Sequence, residues 1–264
     1  MTKDDPPSSP MPTAGVRLPA RFKDHFSRDA TAYAEYRPCY PGELFAWLAA
    51  QAPSRQLAWD AGTGNGQAAV ALTEYFTRVV ATDPSEKQLA EAPAHAKLEY
   101  RQAAEEAALP DESVDLVTVA QALHWFDRPR FWAEARRVLR PGGVIAVWCY
   151  GLQRVSREID RLIHRFYHDT VGPWWPPDRK LVEQGYRTIE FPFPEITPPE
   201  FSMSAEWTLE QQLGYIGTWS AVSRMREATG EDPVAELRPE LEQAWGAGRR
   251  PVRWPLSLRV GLRT

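Results

Sequence analysis

Five short runs of strand length between Gln56 and Tyr150 alternate with helix-length segments, and this rhythm constrains the fold more than any other feature. The runs are QLAWDA (56–61), RVVATD (78–83), LEYRQ (98–102), SVDLVTVAQA (113–122) and VIAVWCY (144–150). Near-continuous apolar strands must be covered on both faces, which calls for a parallel sheet with crossover helices. The first helix is expected over PGELFAWLAAQ (41–51), with Leu44, Phe45, Leu48 and Ala49 on one stripe and Pro41 at its start. Further helices are expected over 66–76, 85–92 and 130–140. The last carries Phe131, Ala135, Val138 and Leu139 inward and stops at Pro141-Gly142-Gly143. The expected fold class for 41–150 is a doubly wound α/β sheet.

After Tyr150 the chain becomes rich in Trp, Tyr and Pro. Helices are expected near 155–168, 208–228 and 234–245, and strands near 199–207 and 252–262. Residues 151–264 therefore read as the last strands of the sheet plus a helical cap. Residues 1–20 are proline-rich and lack an apolar stretch, so they read as a disordered tail and not as a secretory signal. Order is expected to begin near Phe22.

Formal net charge is −4, and the cluster Arg249, Arg250, Arg253 is too short to make the basic face that nucleic acid requires. No apolar run reaches the ~18 residues of a membrane span. Two cysteines, Cys39 and Cys149, make no disulfide framework, and a reducing cytoplasm is the expected location. Cys149 falls in a buried strand and reads as inert core.

WDAGTGNGQAA (59–69) follows the first strand and opens a helix. Its backbone N–H groups can face a polar ligand with no side chain in the way. Asp83, at the end of the second strand, stands where a carboxylate accepts hydrogen bonds from ribose hydroxyls. Two frames fit the glycines. G-x-G-x-x-A from Gly64 through Gly66 to Ala69 would admit a dinucleotide, but its first glycine is displaced from the strand end. D-x-G-x-G-x-G is satisfied in full by Asp60, Gly62, Gly64 and Gly66. An acid at the strand end suits a cationic ligand and repels a pyrophosphate, which favours S-adenosylmethionine.

With WDAGTGNG (59–66), ATD (81–83), AAEEAALP (103–110), SVDLVTVAQALHWF (113–126) and RVLRPGGVIAVW (137–148), the chain resembles the class I S-adenosylmethionine-dependent methyltransferases of the type 11 group. YAEYRPCYP (33–41), AQALHWFD (120–127) and GYIGTWS (214–220) are similar to the branch that includes trans-aconitate methyltransferases. The resemblance implies a seven-stranded Rossmann-like sheet of order 3-2-1-4-5-7-6. It implies that residues 21–40 form a lid carrying Tyr33, Tyr36 and Arg37, with Arg37 pairing the methionine carboxylate. Gly62, Gly64, Gly66 and Asp83 are the implied cofactor contacts, and Asp60 is expected among them. Ala104 and Glu105 are expected beside adenine, where Ala stands in place of the Asp of many members and Glu105 is the candidate substitute. Gln121 and Ala122 are expected to flank the methionine part. S-adenosylhomocysteine is the implied product.

The acceptor set expected beside the cofactor is His124, Trp125, Tyr150, Tyr215 and Trp219. His124 and Trp125 follow the fourth strand's carboxyl end, where open α/β sheets bind ligands. Trp174, Trp175, Trp207 and Trp219 lie in the cap, mostly as core. Asp127 reads as a helix cap, and His164 with His168 as a surface pair, because Arg165 breaks the H-E-x-x-H zinc pattern. No metal is implied.

The function expected is methyl transfer to a small-molecule acceptor, by a monomer or homodimer. A carboxylate acceptor needs no base; a phenol or amine would call on His124. The rival readings are an NAD-dependent oxidoreductase and a non-catalytic adenosylmethionine-binding protein.

Overall fold

The computed structural model describes residues 38–264. The expected tail, Tyr33, Tyr36, Arg37 and most of the expected lid lie outside the described residues.

The sheet is built from β1 (Leu57–Ala61), β2 (Arg78–Asp83), β3 (Leu98–Gln102), β4 (Val114–Ala120), β5 (Leu139–Tyr150), β6 (Glu195–Ile196), β7 (Ser202–Trp207) and β8 (Arg250–Leu262). Its order is β3-β2-β1-β4-β5-β8-β6, with β7 pairing β8 off this path. Counted without β7, this is the expected 3-2-1-4-5-7-6. The first five strands pair in parallel, while β8 runs antiparallel to β5, β6 and β7.

Alternation along the strands sorts side chains to two faces. Trp59, Val80, Val117, Ile145 and Val147 pack beneath Phe131, Ala135 and Val138 of α4 (Arg128–Val138). Ala58, Val79, Leu116, Ala146 and Trp148 meet Leu44, Phe45 and Leu48 of α1 (Gly42–Gln51) and Leu72 of α2 (Gln67–Leu72). The helix α3 (Glu86–Ala90) follows β2.

The cap has its own core. It combines α5 (Arg157–Arg165), the π-turn Phe166–Thr170, α7 (Leu209–Gly217), α8 (Ser220–Thr229) and α9 (Pro233–Trp245) around Trp207, Trp219, Trp245 and Trp254. A short helix, α6 (Arg179–Glu183), packs on β5. The first half of β8 pairs with β7, and from Leu256 onward its partner is β5. One strand therefore belongs to both cap and core.

Three expectations are corrected. The helix after the glycines ends at Leu72, not near Phe76. The single helix expected over 208–228 is two, because Trp219 takes an extended backbone (φ −70°, ψ 135°) and buries its ring in the cap. Pro141-Gly142-Gly143 does not separate helix from strand. Leu139 already pairs with Val114, and the next pairing is Leu116 with Val144, so residues 140–143 bulge inside the β5 span.

Asp115, fully buried in β4, accepts hydrogen bonds from Ser54 Oγ (2.7 Å), Gln56 N (2.8 Å) and Leu57 N (2.9 Å). It also pairs with Arg140 Nε at 3.0 Å. This carboxylate ties the start of β1 to β4 and β5. Asp115→Ala should destabilise the protein by about 3–5 kcal/mol, since it strands two backbone donors and a cation. Urea unfolding measures this, and a loss below ~1 kcal/mol would refute the tie.

Candidate active site at the carboxyl edge of the sheet

The glycine loop is held from below by Asp60. Its two oxygens accept from Thr63 Oγ1 and Thr118 Oγ1, each at 2.6 Å. Burial pushes the Asp60 carboxyl up to about 6, against the lowering effect of the two threonines, and the nearby Asp83 charge adds to the rise. Asp60 therefore lies beneath the loop as its support. Thr63 N donates to Thr82 O (2.9 Å), and Gly66 N to Thr63 O (3.0 Å), which completes the turn.

The three glycines differ in what surrounds them. All have positive φ: +66° at Gly62, +57° at Gly64 and +85° at Gly66. A Cβ on Gly62 would strike Ala122 Cβ at 2.6 Å and Phe126 Cζ at 2.9 Å, and one on Gly66 would overlap the Tyr100 hydroxyl. Those two are required for packing. A Cβ on Gly64 would meet nothing nearer than Gln88 Oε1 at 3.9 Å. Gly64 is the loop position with a bare face.

Asp83 lies beside it. Its Oδ2 accepts from Gly64 N (2.9 Å) and its Oδ1 from Ser85 N (2.8 Å), so the acid and the glycine face are locked in register. Glu105 is buried, with Oε1 accepting from Asp127 N at 2.9 Å, and Ala104 next to it is half-buried. Asp127 itself caps α4 through Arg130 N.

At the end of β4 the chain turns sharply, with Gln121 at φ +57°. Its carboxamide clasps the end of β5: Nε2 donates to Tyr150 O (3.1 Å), and Tyr150 N donates to Oε1 (2.9 Å). A left-handed non-glycine residue of this kind is kept only where its surroundings over-determine it. Ala122 follows, packed against Gly62.

His124 is buried in the turn 123–125. Its Nδ1 lies 2.8 Å from the Tyr186 hydroxyl, and its ring is 4.6 Å from Trp125. Burial lowers its pKa to about 3, helped by the positive charges of Arg179 and Arg128. The imidazole is neutral across the physiological range. Tyr186, 62 residues away, and Arg179 carry no motif in the sequence; only α6 packing on the turn 123–125 and on β5 brings them here.

The expected acceptor residues divide into two groups. Tyr150 lies at the sheet edge beside Tyr40 (6.4 Å) and Gln121. Tyr215 and Trp219 meet each other (6.0 Å) inside the cap, with Trp254 and Tyr167 as further ring partners. His164 and His168 are exposed and stacked at 5.9 Å. Cys149 is buried, its thiol pushed up to about 12.

Comparison with known proteins fits this geometry. A methyltransferase domain model matches residues 59–147. A Dictyostelium discoideum protein named as a methyltransferase is 35% identical over 243 residues, covering 90% of each chain. A solved structure from Anaeromyxobacter dehalogenans, described as a type II methyltransferase, is 48% identical, with TM-score 0.82 over 86% of this chain and 98% of that one. A Saccharomyces cerevisiae protein named as an S-adenosylmethionine-dependent methyltransferase is 30% identical over 132 residues, 46% of this chain and 45% of that one. Similarity of this extent, on a sheet of this order, means that the chain belongs to the class I S-adenosylmethionine-dependent methyltransferases.

Proposed function

We propose that the protein transfers the methyl group of S-adenosylmethionine to a small carboxylic acid. The observation that carries the cofactor half is the bare face of Gly64 locked beside the Asp83 carboxylate. Backbone can approach a ligand there, and an acid at the end of the second strand stands where a carboxylate accepts hydrogen bonds from ribose hydroxyls. Family membership favours this reading over NAD. When bound, the cofactor supplies a methyl group on a sulfonium, a good leaving group.

Glu105 and Ala104 are the proposed contacts at the adenine end and Gln121 and Ala122 those at the methionine end, with Tyr33, Tyr36 and Arg37 as further proposed cofactor contacts. Asp60 acts at one remove, by holding the loop. The acceptor half rests on His124. A buried neutral imidazole of pKa about 3, already engaged by Tyr186, is a poor general base near pH 7. An acceptor that arrives ionised suits such a site. A carboxylate oxygen donates its lone pair to the methyl carbon in line with the breaking S–CH3 bond. The bond's electron pair stays on sulfur, and the products are an ester and S-adenosylhomocysteine, with no proton to move. The protein's work is alignment and exclusion of water, and alignment alone can supply ~7–11 kcal/mol. The branch resemblance in 33–41, 120–127 and 214–220 supports the same acceptor class. Trp125 and Tyr150, with Tyr215 and Trp219 from the cap, are the proposed walls of the acceptor pocket. Labelled methyl transfer to a panel of small acids, phenols and amines tests the whole reading; transfer to phenols or amines alone would reject the carboxylate.

Asp83→Ala should weaken S-adenosylhomocysteine binding roughly ten- to a hundred-fold, as charge-assisted bonds of ~1.5–3 kcal/mol are lost. Calorimetric titration returning the wild-type affinity would remove Asp83 from the site.

Gly64→Ala should fold, with a strain of about 1–2 kcal/mol from the left-handed backbone, because its Cβ meets no protein atom nearer than Gln88 Oε1 at 3.9 Å. It should nevertheless lose at least about tenfold in S-adenosylhomocysteine affinity. A folded variant that binds normally would make the loop structural only.

The depressed His124 pKa gives the sign of the pH dependence. The ring titrates near pH 3, so kcat should be flat from about pH 6 to 8, and His124→Asn should keep that flat profile. A rate that rises through ~6.5 in the wild type and loses that step in the variant would identify a general base instead.

A further inference from the structure

Two carboxamides are buried in the cap with nothing to bond. Gln153 is 1% exposed and Gln212 0%, and neither the oxygen nor the nitrogen of either has a hydrogen-bond partner among the described residues. The indole Nε1 of Trp254, also buried, is likewise without an acceptor. Other buried groups of this chain, such as the carboxylates of Asp115 and Glu105 and the indole Nε1 of Trp245, do have partners. An orphaned buried amide costs stability, so several of them in one layer call for a partner that the cap itself does not supply.

The fold places these groups together. Arg154 and Arg253 exchange backbone hydrogen bonds (2.7 and 2.9 Å), and their side chains are exposed. Gln153 and Trp254 are the next residues along that antiparallel pair, so they are neighbours across it and face inward. Gln212 stands mid-stripe on the buried face of α7, with Leu213, Tyr215 and Ile216. One turn later, Tyr215 meets the Trp254 ring at 5.5 Å and the Trp207 ring at 5.4 Å. Trp254 is thus the common neighbour of the two elements that carry the carboxamides. The same layer reaches the edge of the sheet. Tyr150, three residues before Gln153, belongs to the cap core, while Gln121 clasps its backbone. Three residues span at most about 10 Å, so the carboxamides adjoin the carboxyl edge.

A carboxamide offers an acceptor oxygen and an NH2 donor and carries no charge. Beyond Glu134 no charged side chain is buried among the described residues, so nothing here offsets the burial of an ion. A hydroxyl or a carboxamide, which donates and accepts at once, complements the set. We infer that Gln153, Gln212 and Trp254 Nε1 bind an uncharged hydroxyl or carboxamide of the methyl acceptor, at the end away from the carboxylate that is methylated. The inference rests on the methyltransferase reading of the site and adds a specificity element to it. A site whose buried polar groups need a partner rejects the analogue that lacks one.

The test uses full-length protein loaded with S-adenosylhomocysteine and titrated calorimetrically. The probes are the straight-chain acids from propanoic to hexanoic, with a far end that is a hydroxyl, a carboxamide, a methyl or a second carboxylate. The hydroxyl- and amide-ended compounds are also tested without their acid. The wild type should bind a hydroxyl- or amide-ended acid at least about tenfold more tightly than the methyl- and carboxylate-ended acids of the same length. Gln153→Met and Gln212→Met, which keep the side-chain length, should each lose that preference and keep the S-adenosylhomocysteine affinity. Their thermal midpoints should stay level or rise, because an unsatisfied buried amide is removed. Undiminished preference in both variants, or no preference in the wild type, would overturn the site. So would a midpoint lowered in both variants, which would give the amides to the fold. Polar-ended compounds that bind without their acid, and lose that binding in the variants, would keep the site and reject the carboxylate. The cofactor assignment fails separately, only if the wild type does not bind S-adenosylhomocysteine.

Discussion

The carboxyl edge of this sheet depends on a buried acid that touches no open space. Asp60 lies one residue before the end of β1, under the glycine loop, and its oxygens accept from a hydroxyl of the loop and a hydroxyl of β4. Burial raises its carboxyl towards neutrality, which means that the charged form is held at a cost. What the contact stabilises is a geometry. With Thr63 pinned to Asp60 and to Thr82, Gly64 can present its N–H to Asp83 and its bare face outward. The neighbouring glycines serve that arrangement by letting Ala122, Phe126 and Tyr100 press against the loop from behind.

Cap and core are coupled through a shared strand. β8 lends its first half to β7 and its second half to β5 and β6, so Trp254 sits in the cap's aromatic cluster while Val260 sits in the sheet's own core. Beside this strut, α6 packs on β5 and on the turn 123–125, and its Arg179 and Glu183 reach Tyr167 of the cap. The rings of the cap form one chain of contacts, Trp175 against Tyr167, Tyr167 against Trp219 and Trp219 against Tyr215.

The sequence by itself determined the parts governed by local rules. Strands 78–83 and 98–102 were legible to the residue, because runs of this kind bounded by turns admit few other readings. The Asp127 cap, the D-x-G-x-G-x-G loop and the acid of β2 were legible for the same reason: each depends on residues close in sequence or on a fixed βαβ spacing. Tertiary structure alone decided the rest. Periodicity carries no information about which side chains meet across a sheet edge, so nothing in AQALHWFD announced that Gln121 would clasp Tyr150 or that His124 would be neutral against Tyr186. The break at Trp219 and the bulge at 140–143 likewise came from burying one ring and from strand register, both of which override local helix and turn signals. Arg179 is a plain case: in sequence it is one charge among many, and only the fold sets it against two rings and the Tyr167 hydroxyl.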